Sequence, residues 1–409
     1  MAPSLSLQMA AGAGRCPRAA VKVGANAGPT FDRRTLTGSD TVMLPKSRAA
    51  RAGLAAALTA VPVALAMRFA FIYRMRAGIP KRNPPTSTPA DLGLAYESVA
   101  VPTADGLELA AWLIPATDPG GVAPGVALIH GWESARDRTL PHAQVLHAAG
   151  YHVLTLDVRG HGANEAETLP ISAGEFAADA RAGVAWLRGR PEVAKVALVG
   201  HSIGGAGALV AAGSGGDGFV EAVIALAPPA GPYRLTRLTF QLADLPFPGF
   251  IAWPLAWLTT HVFLWPRGHR IAEVDAVEAV RRIQVPLLLI HGTDDHVVPP
   301  DHMRRLAGAR RAALPGAVTE TLLVQGGHHS WIYEFPEVRA AMARFLAATL
   351  GGPLPPDEAA ARAMAVDARR PPEPERLSAV DAEPGGIASV IGLFSHTAPA
   401  KPEEPDARP

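Results

Sequence analysis

Cysteine is all but missing from this chain: Cys16 is the single one in 409 residues. An intrachain disulfide is thereby excluded, while the redox compartment stays open. No C-x-x-C pair and no H-E-x-x-H occurs, so neither a structural zinc nor a zinc-protease site has sequence support. A surplus of one charge is missing too. Lys and Arg total 38 against 37 Asp and Glu, a formal net charge of +1 at pH 7, which gives no footing for nucleic acid as a partner. Internal repeats are absent, which excludes a solenoid.

What the chain does hold is enough length for one large α/β domain with extensions. Residues 1–47 are Ala-, Gly-, Arg- and Ser-rich without periodicity, and read as a disordered extension or as sequence upstream of a true start at Met43. Residues 48–76 contain an apolar stretch from Ala52 to Tyr73 broken by Arg68, close to the ~20 residues that span a bilayer. A single membrane anchor is the expectation. A signal peptide read from Met43, or a soluble apolar helix packed on the domain, are the alternatives, so a secreted or cytoplasmic location stays open. Basic residues flank both ends (Arg48 and Arg51 before, Arg74 and Arg76 after), so sidedness is undetermined. The segment 77–91, with "KRNPPTSTP", reads as a linker. The tail 351–409 is rich in Pro, Ala and Glu and reads as too polar to offset its ordering entropy.

Between them, over 92–350, short apolar runs alternate with helical stretches. "YESVAVPTADGLELAAWLIPA" reads as a hairpin turning at Asp105–Gly106. "GVALIHGW", "HVLTLDVRGHG", "VAKVALVG", "VEAVIALAP", "VPLLLIHG" and "TETLLVQG" are continuously apolar. That pattern predicts a mostly parallel, doubly wound sheet covered by helices on both faces, with ligands at the carboxyl ends of its strands.

At one such end stands "VGHSIGG", which places Ser202 between Gly200 and Gly204. A serine hydroxyl is a weak nucleophile and needs an adjacent base; a sharp strand-to-helix turn would lift it out of the sheet, and the glycines would let strand and helix pass closely. Candidate partners lie at later strand ends. "HGTDDHVVPP" offers Asp294 and Asp295; "QGGHHSW" offers His328 and His329. The order Ser, Asp, His is the order of an α/β-hydrolase.

Taken together, "HGW", "DVRGHG", "GHSIGG", "HGTDDHVVP" and "GGHHSW" closely resemble the α/β-hydrolase superfamily over roughly residues 95–348, and most of all its esterase and serine-aminopeptidase-like branch. The resemblance implies an α/β-hydrolase fold with a cap inserted after the sixth strand, and hydrolysis through an acyl-enzyme. It implies Ser202 as nucleophile and Asp295, by H-G-x-x-D-x-x-V-P, as the acid, with Asp294 as the alternative. It implies His329 as the base, because Ser330 follows it; His328 stands where the family usually has glycine and is the alternative base. An oxyanion hole would use the backbone N–H groups of Ile203 and Trp132. "DVRGHG" is expected to be architectural, a buried Asp–Arg network bracing nearby loops.

The cap, about 230–272, contains "FPGFIAWPLAWLTTHVFLWP", expected to form a lid with apolar inner walls or a membrane-contacting surface. Apolar walls favour a small-molecule ester or thioester bearing a hydrophobic group. Amide or N-terminal peptide hydrolysis by the same residues, and a non-catalytic binding module, are the competing readings. A serine at the elbow counts against dehalogenase chemistry. No cofactor or metal is implied.

Overall fold

The computed structural model describes residues 47–117, 121–242 and 247–368; the expected extension over 1–46 and the tail beyond 368 lie outside them. Eight strands form one sheet: β1 (Glu97–Pro102), β2 (Glu108–Ile114), β3 (Ala123–Ile129), β4 (His152–Leu156), β5 (Val193–His201), β6 (Ala222–Leu226), β7 (Leu287–Gly292) and β8 (Thr319–Val324). Their order is β1-β2-β4-β3-β5-β6-β7-β8. β1 and β2 form the expected hairpin, with Gly106 at φ 87° in its turn. β2 runs antiparallel to β4, and all later pairings are parallel.

Parallel strands need crossovers, and the helices that supply them cover both faces. One face carries α3 (Ala173–Arg188), α4 (Ile203–Ser214), α8 (Ala276–Val280) and α9 (Asp301–Ala313), packed around Phe176, Leu198, Leu209 and Leu289. The other carries α2 (Leu140–Ala148) and α10 (Pro336–Leu350), packed around Tyr151, Val199, Ile224 and Phe345. This is the doubly wound α/β-hydrolase architecture. The chain leaves β3 toward β4 on one side and returns to β5 on the other, so a crevice opens between the carboxyl ends of β3 and β5.

The insertion follows β6, as expected. It comprises α5 (Pro232–Leu242), α6 (Gly249–Leu264) and α7 (Ile271–Val274). α1 (Arg48–Ala77) is a 30-residue helix that carries Pro62 without breaking. Its last turns pack on the cap: Phe69 lies edge-on to Phe240 and Phe247, and Tyr73 hydrogen-bonds Thr239.

Two expectations need correction. The segment 77–91 is not a free tether. The Lys81 N–H donates to Glu133 Oε1 (3.0 Å), Asn83 Nδ2 to the Glu133 carbonyl (2.7 Å) and the Thr86 N–H to Asp137 Oδ2 (2.8 Å). Its prolines preset an extended backbone, and the remaining polar groups find partners on the loop after β3. Nor does the tail lose order at 351. α11 (Pro356–Ala365) packs on α10 and α2 with Ala359, Ala360 and Ala363 fully buried. Small side chains let the helices approach closely, and Pro356, Asp357 and Glu358 are favourable first-turn residues. In the cap, Phe250, Trp253 and Trp257 of α6 point outward, Phe263 is half-buried, and Ala256, Thr259, Thr260 and Leu264 are buried.

The packing of α11 is directly testable. Ala360→Glu would bury an unpaired carboxylate and should lower unfolding free energy by about 3 kcal/mol, whereas Ala361→Glu, on the exposed side, should change it by under about 0.5 kcal/mol. Urea unfolding of the two variants measures both.

Candidate active site

β5 ends at His201, and the next residue turns sharply into α4. Ser202 adopts φ 55°, ψ −125°, a region that L-residues with a Cβ occupy only under strain. The turn is tight because its flanks are glycines. A Cβ on Gly200 would lie 2.3 Å from the Gly204 carbonyl oxygen, and one on Gly204 would lie 2.2 Å from the His130 carbonyl oxygen. Strand, helix and the loop after β3 therefore meet backbone to backbone. The Ser202 N–H donates to the Leu226 carbonyl at 2.8 Å, and its side chain is left half-exposed above the sheet.

The loops after β7 and β8 reach the same place. Ser202 Oγ is 2.9 Å from His329 Nε2, and His329 Nδ1 is 2.8 Å from Asp295 Oδ2. An ionised carboxylate only accepts hydrogen bonds, so Nδ1 carries the proton and Nε2 is free to accept from the serine. His329 and Asp295 are both buried. His328 is exposed, and so is Asp294, whose carboxylate accepts from Thr293 Oγ1 at 2.8 Å. The two loops touch where a Cβ on Gly292 would fall 2.0 Å from the Gly327 carbonyl oxygen; there the Asp294 N–H donates to that oxygen at 3.0 Å.

Asp295 is held from several sides. Oδ1 accepts the Val297 and Val298 N–H groups at 3.0 and 2.7 Å. Burial alone would raise its pKa. The charge of His329 and the hydrogen bonds from His291, His329 and Val298 outweigh burial and hold the carboxyl well below the usual carboxylate range.

Two histidines that sequence reasoning passed over brace this arrangement. His291 Nε2 donates to the Val298 carbonyl at 2.6 Å and lies 3.2 Å from Asp295 Oδ2. His201 Nε2 donates to the His329 carbonyl at 2.7 Å. Both sat inside quoted motifs, "HGTDD" and "GHSIGG", whose first histidine was the available signal.

The loop after β3 lies alongside. A Cβ on Gly131 would be 3.4 Å from Ser202 Cβ, so Trp132 follows directly beside the serine. Ile203 opens α4, where the first N–H groups lack intrahelical acceptors. His130 fixes this loop: its Nδ1 donates to the Gly131 carbonyl (2.7 Å) and its Nε2 accepts from the Val158 N–H (3.0 Å).

"DVRGHG" is a bracing network with partners other than each other. Asp157 accepts from the Arg136 N–H at 2.6 Å and pairs with its guanidinium, while Arg159 pairs with Asp179 and Asp105 at 2.5 and 2.6 Å. Among the described residues no group of three or more His, Cys, Asp or Glu is arranged to hold a metal ion.

Burial holds several histidines neutral. His130 is pushed down to about 4 by burial, and His142 and His161 to about 3. Unfolded, each would titrate near ~6.5. Between those values the unfolded chain binds protons that the native chain does not, so stability is full above pH ~6.5 and falls as pH drops toward ~4. Urea midpoints followed through that window should decline. In His142→Phe, whose ring would occupy the slot edge-on to Tyr333, the decline should be shallower.

Comparison with known proteins adds the following. The profile of the alpha/beta hydrolase family matches residues 126–343. An uncharacterized protein of Mycobacterium tuberculosis is 32% identical over 229 residues, covering 54% of this chain and 72% of that protein. The lysophosphatidylserine lipase ABHD12 of Macaca fascicularis is 29% identical over 234 residues, covering 54% of this chain and 55% of its own. Among solved structures, the Pyrococcus furiosus esterase Pf2001 superposes with a TM-score of 0.52 at 26% identity, covering 66% of this chain and all of that one.

Proposed function

The chain belongs to the alpha/beta hydrolase family, and from that premise we propose that it is a serine hydrolase of carboxylic esters, working through an acyl-enzyme and held at a membrane by α1. The observation that carries the reading is the hydrogen-bond relay Ser202 Oγ, His329 Nε2, His329 Nδ1, Asp295 Oδ2 at 2.9 and 2.8 Å.

In this mechanism Ser202 Oγ attacks the ester carbonyl carbon as its proton moves to His329 Nε2. Asp295 stays ionised; it fixes the tautomer and stabilises the imidazolium. Negative charge gathering on the carbonyl oxygen is received by the Ile203 and Trp132 N–H groups, each worth about 3 kcal/mol in the transition state. The carbon–oxygen bond to the leaving alcohol breaks, and His329 returns its proton to that oxygen. Water, deprotonated by the same imidazole, then attacks the acyl carbon; Ser202 leaves with the proton, and a carboxylic acid departs.

Ester cleavage is favoured over amide cleavage by the relatives: an esterase superposes along its whole length, and a lipase aligns over just over half of its own. For the anchor, the support is the 28-residue stretch Arg48–Met75, which contains an 18-residue window of mean hydropathy 1.9 with 6% of that window buried. At ~1.5 Å per residue it exceeds the ~30 Å hydrocarbon core.

Fluorophosphonate labelling tests the nucleophile. Wild type should label and Ser202→Ala should not; labelling that survives in Ser202→Ala would remove the proposal. On p-nitrophenyl esters, Asp295→Asn should lose about 10^4-fold in kcat, and His329→Ala should lose at least as much. His328→Ala should stay close to wild type, and turnover abolished by His328→Ala alone would transfer the base to that residue.

A further inference from the structure

α6 is apolar all round yet lies at the surface. From Gly249 to Leu264 it has no Asp, Glu, Lys or Arg. Its inner side packs on the cap, while its outer side presents Phe250 at 80% exposure, Trp253 at 50% and Trp257 at 56%, continued by Trp265 at 79%. A helix hydrophobic on every side is normally buried or in contact with lipid, and an exposed patch of this kind marks an interaction surface.

We propose that this outer face of α6 rests in the interfacial layer of the same bilayer that α1 spans, giving the hydrolase a second membrane contact formed by its own cap. The inference rests on the reading of α1 as an anchor and adds to it a place and an orientation for the catalytic domain.

Depth is the first argument. The cap packs on the end of α1: Phe69 against Phe240 and Phe247 at 5.6 and 5.7 Å, and Tyr73 against Phe240 at 5.3 Å. Phe263 of α6 crowds Gly78, where a Cβ would meet it at 2.4 Å. Residues 69–77 are the last ~13 Å of the helix, where the basic Arg74 and Arg76 follow the apolar run. A spanning helix has that end at the membrane–water boundary, so α6 is brought to the same level. Tryptophan is the side chain that favours this level, with an apolar ring and one polar N–H.

Continuity is the second. Leu65, Phe71, Ile72 and Met75 on α1 are exposed as well, so lipid that covers the anchor also reaches the cap packed on it. The rim is suitably charged: the Arg237 guanidinium stacks over the Trp253 ring at 3.7 Å, beside the zone of phosphate headgroups.

The test uses the full chain with Cys16→Ser and a single introduced cysteine, Trp257→Cys or, separately, Phe250→Cys, carrying an environment-sensitive NBD fluorophore. Glu320→Cys on β8, an exposed position, is the control. Each protein is reconstituted in phosphatidylcholine–phosphatidylglycerol vesicles and floated on a density gradient. The expected result is co-flotation, with blue-shifted emission at 257 and 250 that headgroup-level spin-labelled lipid quenches, and water-like emission at 320. Protein that floats but shows water-like emission at 257 and 250 overturns the docking and leaves the anchor standing. Protein that fails to float overturns both. Blue-shifted emission without vesicles, rising with protein concentration, would assign the face to a second copy of the chain and also overturn the proposal.

Discussion

The site depends on one backbone turn. Ser202 sits at φ 55° between a strand and a helix that approach so closely that neither flanking position admits a Cβ. The strain is not isolated. The four non-glycine residues with positive φ among the described residues are Glu133, Ser202, Ala227 and Trp331. They follow β3, β5, β6 and β8, so each belongs to a connection leaving the carboxyl edge of the sheet. Conformations of this sort persist only where the surroundings over-determine them. Here two packed helical layers and the parallel ladder hold the edge rigid. The proposed nucleophile, base and charge-receiving amides are thereby set before any substrate arrives, which is how electrostatic stabilisation avoids reorganisation during reaction.

Electrostatics near the edge follow a single pattern: what must stay neutral is buried, and what must stay charged is hydrogen-bonded. His130 and His161 are fully buried within ring contact of each other and are kept neutral by it. Asp295 is as deeply buried, yet two backbone N–H groups and two imidazoles keep it ionised. Asp295 thereby offers His329 a charged acceptor in a buried setting, where a low dielectric makes each interaction stronger.

Much of this was legible because it is local chemistry at fixed offsets. Continuous apolar runs gave the parallel strands, and Gly200, Ser202 and Gly204 stand two residues apart from one another for a steric reason that sequence reasoning states in advance. Which of His328 and His329 faces Ser202 was not legible by spacing alone. It turns on the approach of Gly327 to Gly292, a contact between residues 35 positions apart. α11 was missed for a different reason: averaging composition over 351–409 submerged a ten-residue helix whose alanines bury little area each and matter through close approach. The linker was missed because its partners, Glu133 and Asp137, lie on a distant loop.

That linker joins two parts of the molecule otherwise treated separately. α1 ends at Ala77, and within a few residues the chain is bonded to Glu133, the neighbour of Trp132 and itself at φ 49°. The same α1 turns carry the cap through Phe69 and Tyr73. The helix therefore contacts the cap, and the segment after it contacts the loop proposed to receive the oxyanion. A displacement of α1 relative to the sheet would have to break hydrogen bonds on one side and aromatic packing on the other. The apolar helix is thus tied to the hydrolase domain at two places, so an anchor built this way would fix the attitude of the crevice as well as its location.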